Sequence, residues 1–370
     1  MGGGLRSWDP ADAEVFSYVQ PPFHAVFSPG GAVQALSAAV ETLDARALML
    51  ISSPRRADLI AEMATESRVP VVARFFSQEP HVPAPVADQA RRIAQESGAD
   101  CLVCLGGGSA IGAAKAVALT AGLPIIAIPT TYSGSETTPV WGITEGGVKR
   151  TGRSGAVLPR TAIYDTSLFA GMPRKLEVES ALNALAHAIE AFWAPGRNPV
   201  TALAAEEAVR RISSGLTRLG NGEPAANVRG ELLYGAFLAG TSFAVAGSGV
   251  HHKLCHMLGG TFGLPHATTH AALLRFTLAL NADAGAGYWG QISEAMGAEP
   301  VSALTGLYSR LGAPMSLAEA GLRSEELDRA CREAAALLPI DNPLPLDASG
   351  MRTLVEHAFE GRIVKKAEVS

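Results

Sequence analysis

Strand-like apolar runs alternate with helix-like segments through the first half of the chain, and this alternation constrains the fold more than any other feature. Residues 47–51 read Ala-Leu-Met-Leu-Ile, which is typical of a parallel strand covered on both faces. Further strand-like runs at 69–75, 100–105 and 124–128 are separated by segments with helical periodicity. Strands that alternate with helices form a parallel sheet with right-handed crossovers, so we predict a doubly wound α/β domain.

The pattern changes in the second half of the chain. A hairpin predicted over 140–151 and a last strand at 162–164 end the strand-like runs. Beyond them we predict eight helices, over 176–193, 200–217, 228–246, 250–261, 267–281, 301–311, 324–337 and 348–359. A chain of 370 residues is long enough for two cores. We therefore predict an α/β domain over 1–165 and an all-helical domain over 166–370.

Charge and composition argue against several classes of protein. The net charge of −5 gives no general attraction for nucleic acid or acidic membranes. The sequence contains neither an apolar run long enough to span a membrane nor the apolar core of a signal peptide at its start. Cys101 and Cys104 lie inside a predicted strand, whereas a redox pair normally sits at a helix N-terminus. We expect a cytoplasmic protein that binds neither nucleic acid nor membrane.

The segment 250–270 holds five of the chain's nine histidines: His251, His252, His256, His266 and His270. His252 and His256 are four residues apart, as are His266 and His270, so each pair lies on one face of a helix. Imidazole clusters of this density are usually metal sites, proton-transfer sites or anion sites. This segment is therefore the first candidate for the protein's chemistry.

A second polar face precedes that segment on a predicted helix, where Asn183, His187 and Glu190 point the same way. Glu190 is placed either to orient a histidine by accepting its second ring N–H or to be a solvated helix residue. The sequence leaves both roles of Glu190 open.

Two loops that follow neighbouring predicted strands have the composition of a nucleotide site. Glycines between a strand and a helix let backbone N–H groups approach a phosphate, and the helix N-terminus favours its negative charge. The next strand ends in a cluster of hydroxyl groups. Both loops lie at the carboxyl ends of their strands, where open α/β sheets bind ligands. The predicted cofactor-binding residues are Gly106, Gly107, Gly108, Ser109, Thr130, Thr131 and Ser133.

The residues after the strand at 47–51 bear on which dinucleotide is bound. An NAD-specific site usually carries an acidic residue at such a position, but this strand is followed by Ser53, Arg55 and Arg56. The two arginines either tolerate a 2′-phosphate or are solvated residues at a helix start. We expect Ser53 to contact the cofactor, which is NADH or NADPH, with a slight preference for NADH.

These motifs resemble the iron-containing (group III) alcohol dehydrogenase family over nearly the whole chain. Gly-Gly-Gly-Ser at 106–109 with Lys115, Pro-Thr-Thr at 129–131, Gly-Ser-Glu at 134–136 and the histidine segment 252–266 match its motifs in order. N-A-L-A-H-A-I-E-A and H-H-K-L-C-H-M-L-G-G are similar to its maleylacetate reductase branch. The resemblance implies a homodimer with a nucleotide domain and a helical domain. It also implies NAD(P)H-dependent reduction of the C=C bond of 2-maleylacetate to 3-oxoadipate in the degradation of aromatic compounds.

The same resemblance implies positions for a metal site. Metal-dependent members use one Asp and three His as ligands, and the matching positions here are Asn183, His187, His252 and His266. His256 matches a further active-site histidine that is not a ligand. Asn183 replaces the acidic ligand, so we expect no metal. Gly112 stands where metal-dependent members tend to have Asp, and Leu344 stands where we would expect Arg.

Reduction of an enone dicarboxylate requires positive charge or a proton donor near the developing enolate. A histidine that changes charge near pH 7 meets that requirement. We predict His256 as the proton donor, with His251, His252 and Lys253 holding or orienting the substrate anion. Tyr132 either lines the pocket or is a packed loop aromatic. Rival readings are a metal-dependent alcohol dehydrogenase acting on an aldehyde or ketone, a dehydroquinate-synthase-like lyase, and a non-catalytic nucleotide-binding protein.

Overall fold

The computed structural model of the chain describes residues 16–77, 79, 82–146, 148–282 and 287–363. These residues divide into two compact units. Gln20–Met172 forms the first, and the second begins at Pro173 and also includes residues 16–19. The predicted fold class, a doubly wound α/β unit and an all-helical unit, is confirmed.

The first unit is built on a six-stranded parallel sheet in the order β1-β8-β5-β4-β2-β3. The strands are β1 (His24–Phe27), β2 (Leu48–Ser52), β3 (Val71–Phe76), β4 (Cys101–Gly106), β5 (Ile125–Pro129), β6 (Val140–Glu145), β7 (Val148–Arg153) and β8 (Thr161–Tyr164). The helices are α1 (Ala32–Thr42), α2 (Ala57–Thr65), α3 (Ala84–Ser97) and α4 (Gly108–Ala121). The predicted hairpin is β6 paired with β7, and its Gly147 lies outside the described residues.

The central strands are buried at every position because helices cover both faces of the sheet. Successive residues of a strand point to opposite faces. Leu48 and Leu50 therefore pack with the core that includes α1 and α2, while Met49 and Ile51 pack with the core that includes α3 and α4. The unbroken apolar runs in the sequence thus serve two cores at once.

The same alternation places the two cysteines of the C-x-x-C pair on opposite faces of β4. Cys101 belongs to the core on one face of β4 and Cys104 to the core on the other, so their thiols point apart. Burial raises the pKa of both thiols to about 12. A thiol that stays protonated is a poor nucleophile, which agrees with the expectation that this pair has no redox role.

The first unit extends a few residues past the predicted boundary at 165. Asp165 follows β8, and its carboxylate accepts from Ser167 N–H and from Gly30 N–H, both at 2.8 Å. These bonds tie the short helical turn Thr166–Phe169 to the loop after β1, within the sheet unit. The division falls instead between Met172 and Pro173, just before the first long helix.

The second unit contains nine helices within its described residues: α5 (Arg174–Ala191), α6 (Pro199–Gly220), α7 (Ala225–Ala246), α8 (Val250–Phe262), α9 (His266–Leu280), α10 (Gly287–Met296), α11 (Pro300–Leu311), α12 (Leu327–Ala335) and α13 (Ala348–Glu360). From Glu177 onward α5 is buried on all sides, since it packs against α6, α7 and α9. A helix surrounded in this way brings its polar residues into the interior. Asn183, His187 and Glu190 are consequently 1%, 6% and 1% exposed.

No single helix in the described part of the chain is long and apolar enough to cross a bilayer alone. The helices α7 and α8, which meet at 98°, have the necessary length and apolar composition only as a bent pair.

Candidate active site

Glu190 stabilises the N-terminus of α8, the helix that carries His251, His252 and His256. Its carboxylate accepts the backbone N–H of His251 at 2.8 Å and so satisfies one of the unpaired donors at the N-terminus of α8. Gly249 precedes the helix, and a Cβ atom there would lie 3.0 Å from Glu190 Oε1. The close approach of α5 and α8 therefore favours glycine at 249. Of the two roles that the sequence left open for Glu190, the structure shows the orienting one.

Glu190 also bonds the side chain of His252 through its second oxygen and Nδ1 of the ring. Burial raises the pKa of Glu190 to about 7, although the backbone donors of α8 act in the opposite direction. Burial lowers the pKa of His252 well below its usual value. Above pH 7 the carboxylate accordingly accepts the Nδ1 proton of a neutral imidazole. Nε2 of His252 is then unprotonated, and it is buried without a hydrogen-bond partner.

Six imidazole rings gather around this point: His187, His251, His252, His256, His266 and His270. His187 stacks on His252 with ring centroids 4.7 Å apart and an angle of 15° between planes. His270 lies 4.7 Å from His252 and 4.4 Å from His266. The structure thus brings together the histidines of two separate sequence motifs, and we call these six rings the histidine cluster.

Burial keeps most of the histidine cluster neutral. It lowers the pKa of His187 to about 4 and that of His251 to about 3, and it lowers the pKa of His270 well below 6.5. A histidine that changes charge near pH 7 is predicted from the sequence. Desolvation shifts the pKa of each buried ring below that range, because the charged form loses its hydration. His256 and His266 are the partly exposed members, and they lie 6.1 Å apart.

The predicted partners of His256 occupy different surroundings. Both ring nitrogens of His251 are engaged, by Thr277 at 2.9 Å and by His270 at 3.0 Å, so this ring orients other groups and has no free nitrogen to hold an anion. Lys253 is partly exposed on α8, and its positive charge lowers the pKa of Glu190. Tyr132, in the sheet unit, is 1% exposed and packs on Phe169 with ring centroids 5.1 Å apart, as a packed loop aromatic does.

The positions implied for a metal do not form a convergent site. Among the described residues, a single trio of His, Cys or acidic ligand atoms lies within 4.8 Å of one another, from His251, Cys255 and His270. His187, His252 and His266 form no such trio. Asn183 Oδ1 is buried and unpaired, but a neutral amide brings no charge to offset a dication. These residues therefore do not fit the one-Asp, three-His site of metal-dependent relatives.

Packing accounts for the two other departures from the family pattern. A Cβ atom at Gly112 would already lie 2.8 Å from Val82 Cγ2, so this face of α4 leaves no room for Asp. Leu344 belongs to the apolar core around α9 and α13. Its segment is held by the paired amides of Asn281 and Asn342, with Asn342 Nδ2 donating to Leu344 O at 2.7 Å.

The predicted nucleotide loops meet at the ends of β4 and β5. Thr130 N–H donates to Gly106 O at 3.0 Å and joins the loops. A Cβ atom at Gly107 would lie 2.9 Å from Thr131 Cγ2, and one at Gly108 would be 3.9 Å from Ser133 Oγ. The hydroxyl oxygens of Thr131 and Ser133 are buried without a partner. The uncapped start of α4 and two unpaired hydroxyls fit a phosphate group.

Lys115 supports the second loop through buried hydrogen bonds, a role that was not predicted from the sequence. It is 1% exposed, and its ammonium donates to Thr138 O at 2.7 Å and to Val140 O at 2.8 Å. Glu136, in the same loop, accepts from Tyr164 Oη at 3.1 Å. Burial lowers the pKa of Lys115 to about 7. These bonds hold the hydroxyl-rich loop in place against α4.

A pocket beside α4 contains an acidic residue that the sequence analysis missed. Its lining includes Ser52, Ser77, Glu79 and Ser109, at the ends of β2, β3 and β4. The acidic residue of an NAD site is expected after β2, but β3 pairs with β2 and ends at the same edge of the sheet. The guanidinium of Arg56 donates to Leu168 O at 3.1 Å. Ser53 precedes the helical turn Pro54–Arg56.

Comparisons with known proteins agree with this architecture. Residues 22–166 match the model of iron-containing alcohol dehydrogenases, and residues 177–359 match that of the Fe-containing alcohol dehydrogenase family, C-terminal. Maleylacetate reductase from Burkholderia cepacia is 42% identical over 90% of this chain and 94% of its own.

Two solved structures show the same likeness. Maleylacetate reductase from Rhizobium sp. has a TM-score of 0.88 at 38% identity, with 95% of this chain and 100% of that chain covered. An iron-containing alcohol dehydrogenase from Corynebacterium glutamicum also has a TM-score of 0.88, at 39% identity, with 94% and 98% covered.

Proposed function

Because the chain belongs to the iron-containing alcohol dehydrogenase family, we propose that it reduces the C=C bond of 2-maleylacetate to give 3-oxoadipate, with NADH or NADPH as reductant. The observation that carries the proposal is the similarity to maleylacetate reductases at about 40% identity over nearly the whole chain. The reaction belongs to the degradation of aromatic compounds. The substrate is a small dicarboxylate.

The nicotinamide cofactor, when bound, supplies the hydride. The chain's own contribution is to hold its pyrophosphate. Backbone N–H groups at the start of α4 point outward without a side-chain cap, and the helix dipole favours negative charge there. The unpaired hydroxyls of Thr131 and Ser133 supply two further donors beside Gly107 and Gly108.

The histidine cluster supplies the proton. Hydride addition to the alkene carbon turns the adjacent ketone into an enolate, whose carbon must then be protonated. His256 and His266 are the partly exposed rings, so they can regain a proton from solvent after each turnover, whereas the buried rings cannot exchange so readily. This difference favours His256 or His266 over the buried rings, and of these two we retain His256 as the proposed proton donor. His252, held by Glu190, keeps the neighbouring wall of the cluster in one orientation.

We further propose that the reaction needs no metal. The amide of Asn183 in place of a carboxylate, and the failure of His187, His252 and His266 to converge, support this. Metal content by plasma mass spectrometry, paired with activity after exhaustive chelation, tests it. Stoichiometric metal whose removal abolishes activity would return the protein to the metal-dependent members of its family.

NADH is the preferred cofactor in this proposal. Glu79 lines the pocket beside α4, where its carboxylate would accept from a ribose hydroxyl and would repel a 2′-phosphate. Comparison of kcat/KM for NADH and NADPH tests the preference. The homodimer and the cytoplasmic location stay predictions, the first checked by light scattering on the purified protein.

The central experiment is consumption of NADH in the presence of maleylacetate, with and without chelator. We expect turnover in both conditions and identification of 3-oxoadipate as product. Simple aldehydes and ketones serve as comparison substrates. Turnover of those with none of maleylacetate would favour the alcohol dehydrogenase reading.

A further inference from the structure

Thr277 and two members of the histidine cluster, His251 and His270, form a row of hydrogen bonds to which the proposed chemistry assigns no role. Nδ1 of His251 lies 2.9 Å from Thr277 Oγ1, and Nε2 of the same ring lies 3.0 Å from Nδ1 of His270. These residues are 2%, 1% and 0% exposed respectively, so water does not compete for the bonds. In such a place each ring nitrogen is protonated or bare according to the partner that it meets.

The direction of this row follows from its hydrogen bonds. Thr277 Oγ1 donates to Leu274 O, one helical turn back, at 3.2 Å. The oxygen then accepts from Nδ1–H of His251, and Nε2 of His251 accepts from Nδ1–H of His270, which makes three bonds. In the opposite direction Thr277 would donate to His251, the bond to the carbonyl would be lost, and Nε2 of His270 would bear a buried proton with no acceptor.

We propose that Thr277 and His251 are positioning residues that hold His270 as its Nδ1–H tautomer, with Nε2 bare inside the histidine cluster. That nitrogen is buried without a protein partner, and its ring lies 4.4 Å from His266 and 4.7 Å from His252. An unprotonated imidazole nitrogen accepts from an O–H group, which a water molecule can provide. The tautomer itself is independent of the proposed function, and only its effect on turnover rests on that function.

The first experiment reads the tautomer directly. ¹⁵N spectra of histidine-labelled full-length protein distinguish a protonated ring nitrogen from a bare one, and the His270→Asn variant assigns the signals. We expect protonated Nδ1 and bare Nε2 at His270 in the unmutated protein. A protonated Nε2 there would overturn the proposal.

The second experiment removes the hydrogen bond between Thr277 and His251. Thr277→Val removes the acceptor for His251 with little change of shape, whereas Thr277→Ser retains the hydroxyl. Thr269→Val is the matched control, because Thr269 lies on the same helix and bonds only the backbone oxygen of Pro265, at 2.7 Å. We expect Thr277→Val to reduce kcat at least about tenfold while leaving the NADH dissociation constant unchanged. Thr277→Ser and Thr269→Val should stay within about threefold of the unmutated enzyme.

The outcomes separate the tautomer from the activity. Thr277→Val should also convert part of the His270 population to the Nε2–H form, a change that a general loss of stability would not produce. An unaltered tautomer in folded Thr277→Val would overturn the positioning role of Thr277. An altered tautomer with unaltered kcat would overturn its importance for turnover. A protein that shows the expected tautomer but does not reduce maleylacetate would contradict the proposed function alone.

Discussion

The two candidate sites of this protein use different chemical groups, backbone N–H groups in one and side chains in the other. The nucleotide loops present backbone N–H groups, and their key residues, Gly107 and Gly108, contribute by having no side chain. The histidine cluster presents side chains, most of them buried, and hydrogen-bond partners orient the rings of His251, His252 and His270. An added methyl group therefore harms the first site, whereas the second is harmed by loss of a hydrogen-bond partner.

The comparison predicts the largest effect at the histidine cluster. His256→Ala removes the proposed proton donor, so kcat should fall by about 10²–10⁴, while NADH binding in the other unit is retained. Steady-state kinetics and NADH fluorescence titration measure the two quantities. His24→Ala, at an exposed end of β1, is the control. If kcat of the His256→Ala enzyme stays within about threefold, another histidine gives the proton.

Gly108→Ala tests the other side of the comparison. In the protein without cofactor the new methyl group would meet only Ser133 Oγ, at 3.9 Å, so the fold should be retained. The methyl group would nevertheless occupy the place where phosphate approaches, and we expect NADH affinity to fall by about tenfold to a hundredfold. Gly155→Ala is the control in the same unit, since a Cβ atom there has no neighbour within 4 Å. Equal NADH affinity in both variants would place the pyrophosphate elsewhere.

A smaller effect is expected at Glu79. The Glu79→Gln variant keeps the shape of the side chain but removes its charge, which should raise kcat/KM for NADPH relative to NADH by about threefold to tenfold. Ser77→Ala, in the same pocket, removes a hydroxyl and no charge, and should leave the ratio nearly unchanged. An unchanged ratio in Glu79→Gln would remove Glu79 from cofactor selection.

The sequence predicted the first site more completely than the second. Continuous apolar runs predicted β2, β4 and β5, and the glycine and hydroxyl residues that follow β4 and β5 do meet at one edge of the sheet. Glu79 was missed because pairing of β3 with β2 is a non-local feature that no spacing in the sequence reveals. Helix α10 was also missed, since its ten residues, Gly287–Met296, form a shorter segment than the neighbouring helices α9 and α11.

At the histidine cluster, helical spacing predicted which residues share a face but not how far each ring is buried. The charge state of His251 and His252 follows from the surrounding helices α5 and α9, which the sequence does not position. The contact between Thr277 and His251 joins residues 26 positions apart, and no motif in the sequence marks Thr277. Residue identity thus predicted the members of the cluster, and tertiary packing decided their roles.

The smallest predicted effect concerns acid stability. Burial lowers the pKa of His187 to about 4, so between pH 6.5 and 4 the unfolded chain binds a proton at this residue that the folded chain does not. The contribution of His187 to stability therefore falls as the pH falls through this window. Glu190 acts in the opposite sense, because its pKa of about 7 lets the folded protein keep a proton that the unfolded chain releases above pH 4.5.

The His187→Phe variant keeps an aromatic ring near Phe243, removes the titrating group and leaves Glu190 in place. Urea unfolding at pH 6.5 and 5.5 should show the unmutated protein losing about 1 kcal/mol more than His187→Phe over this interval. An equal loss in both proteins would mean that His187 is protonated as readily in the folded state as in the unfolded one, and that the histidine cluster carries charge near neutral pH.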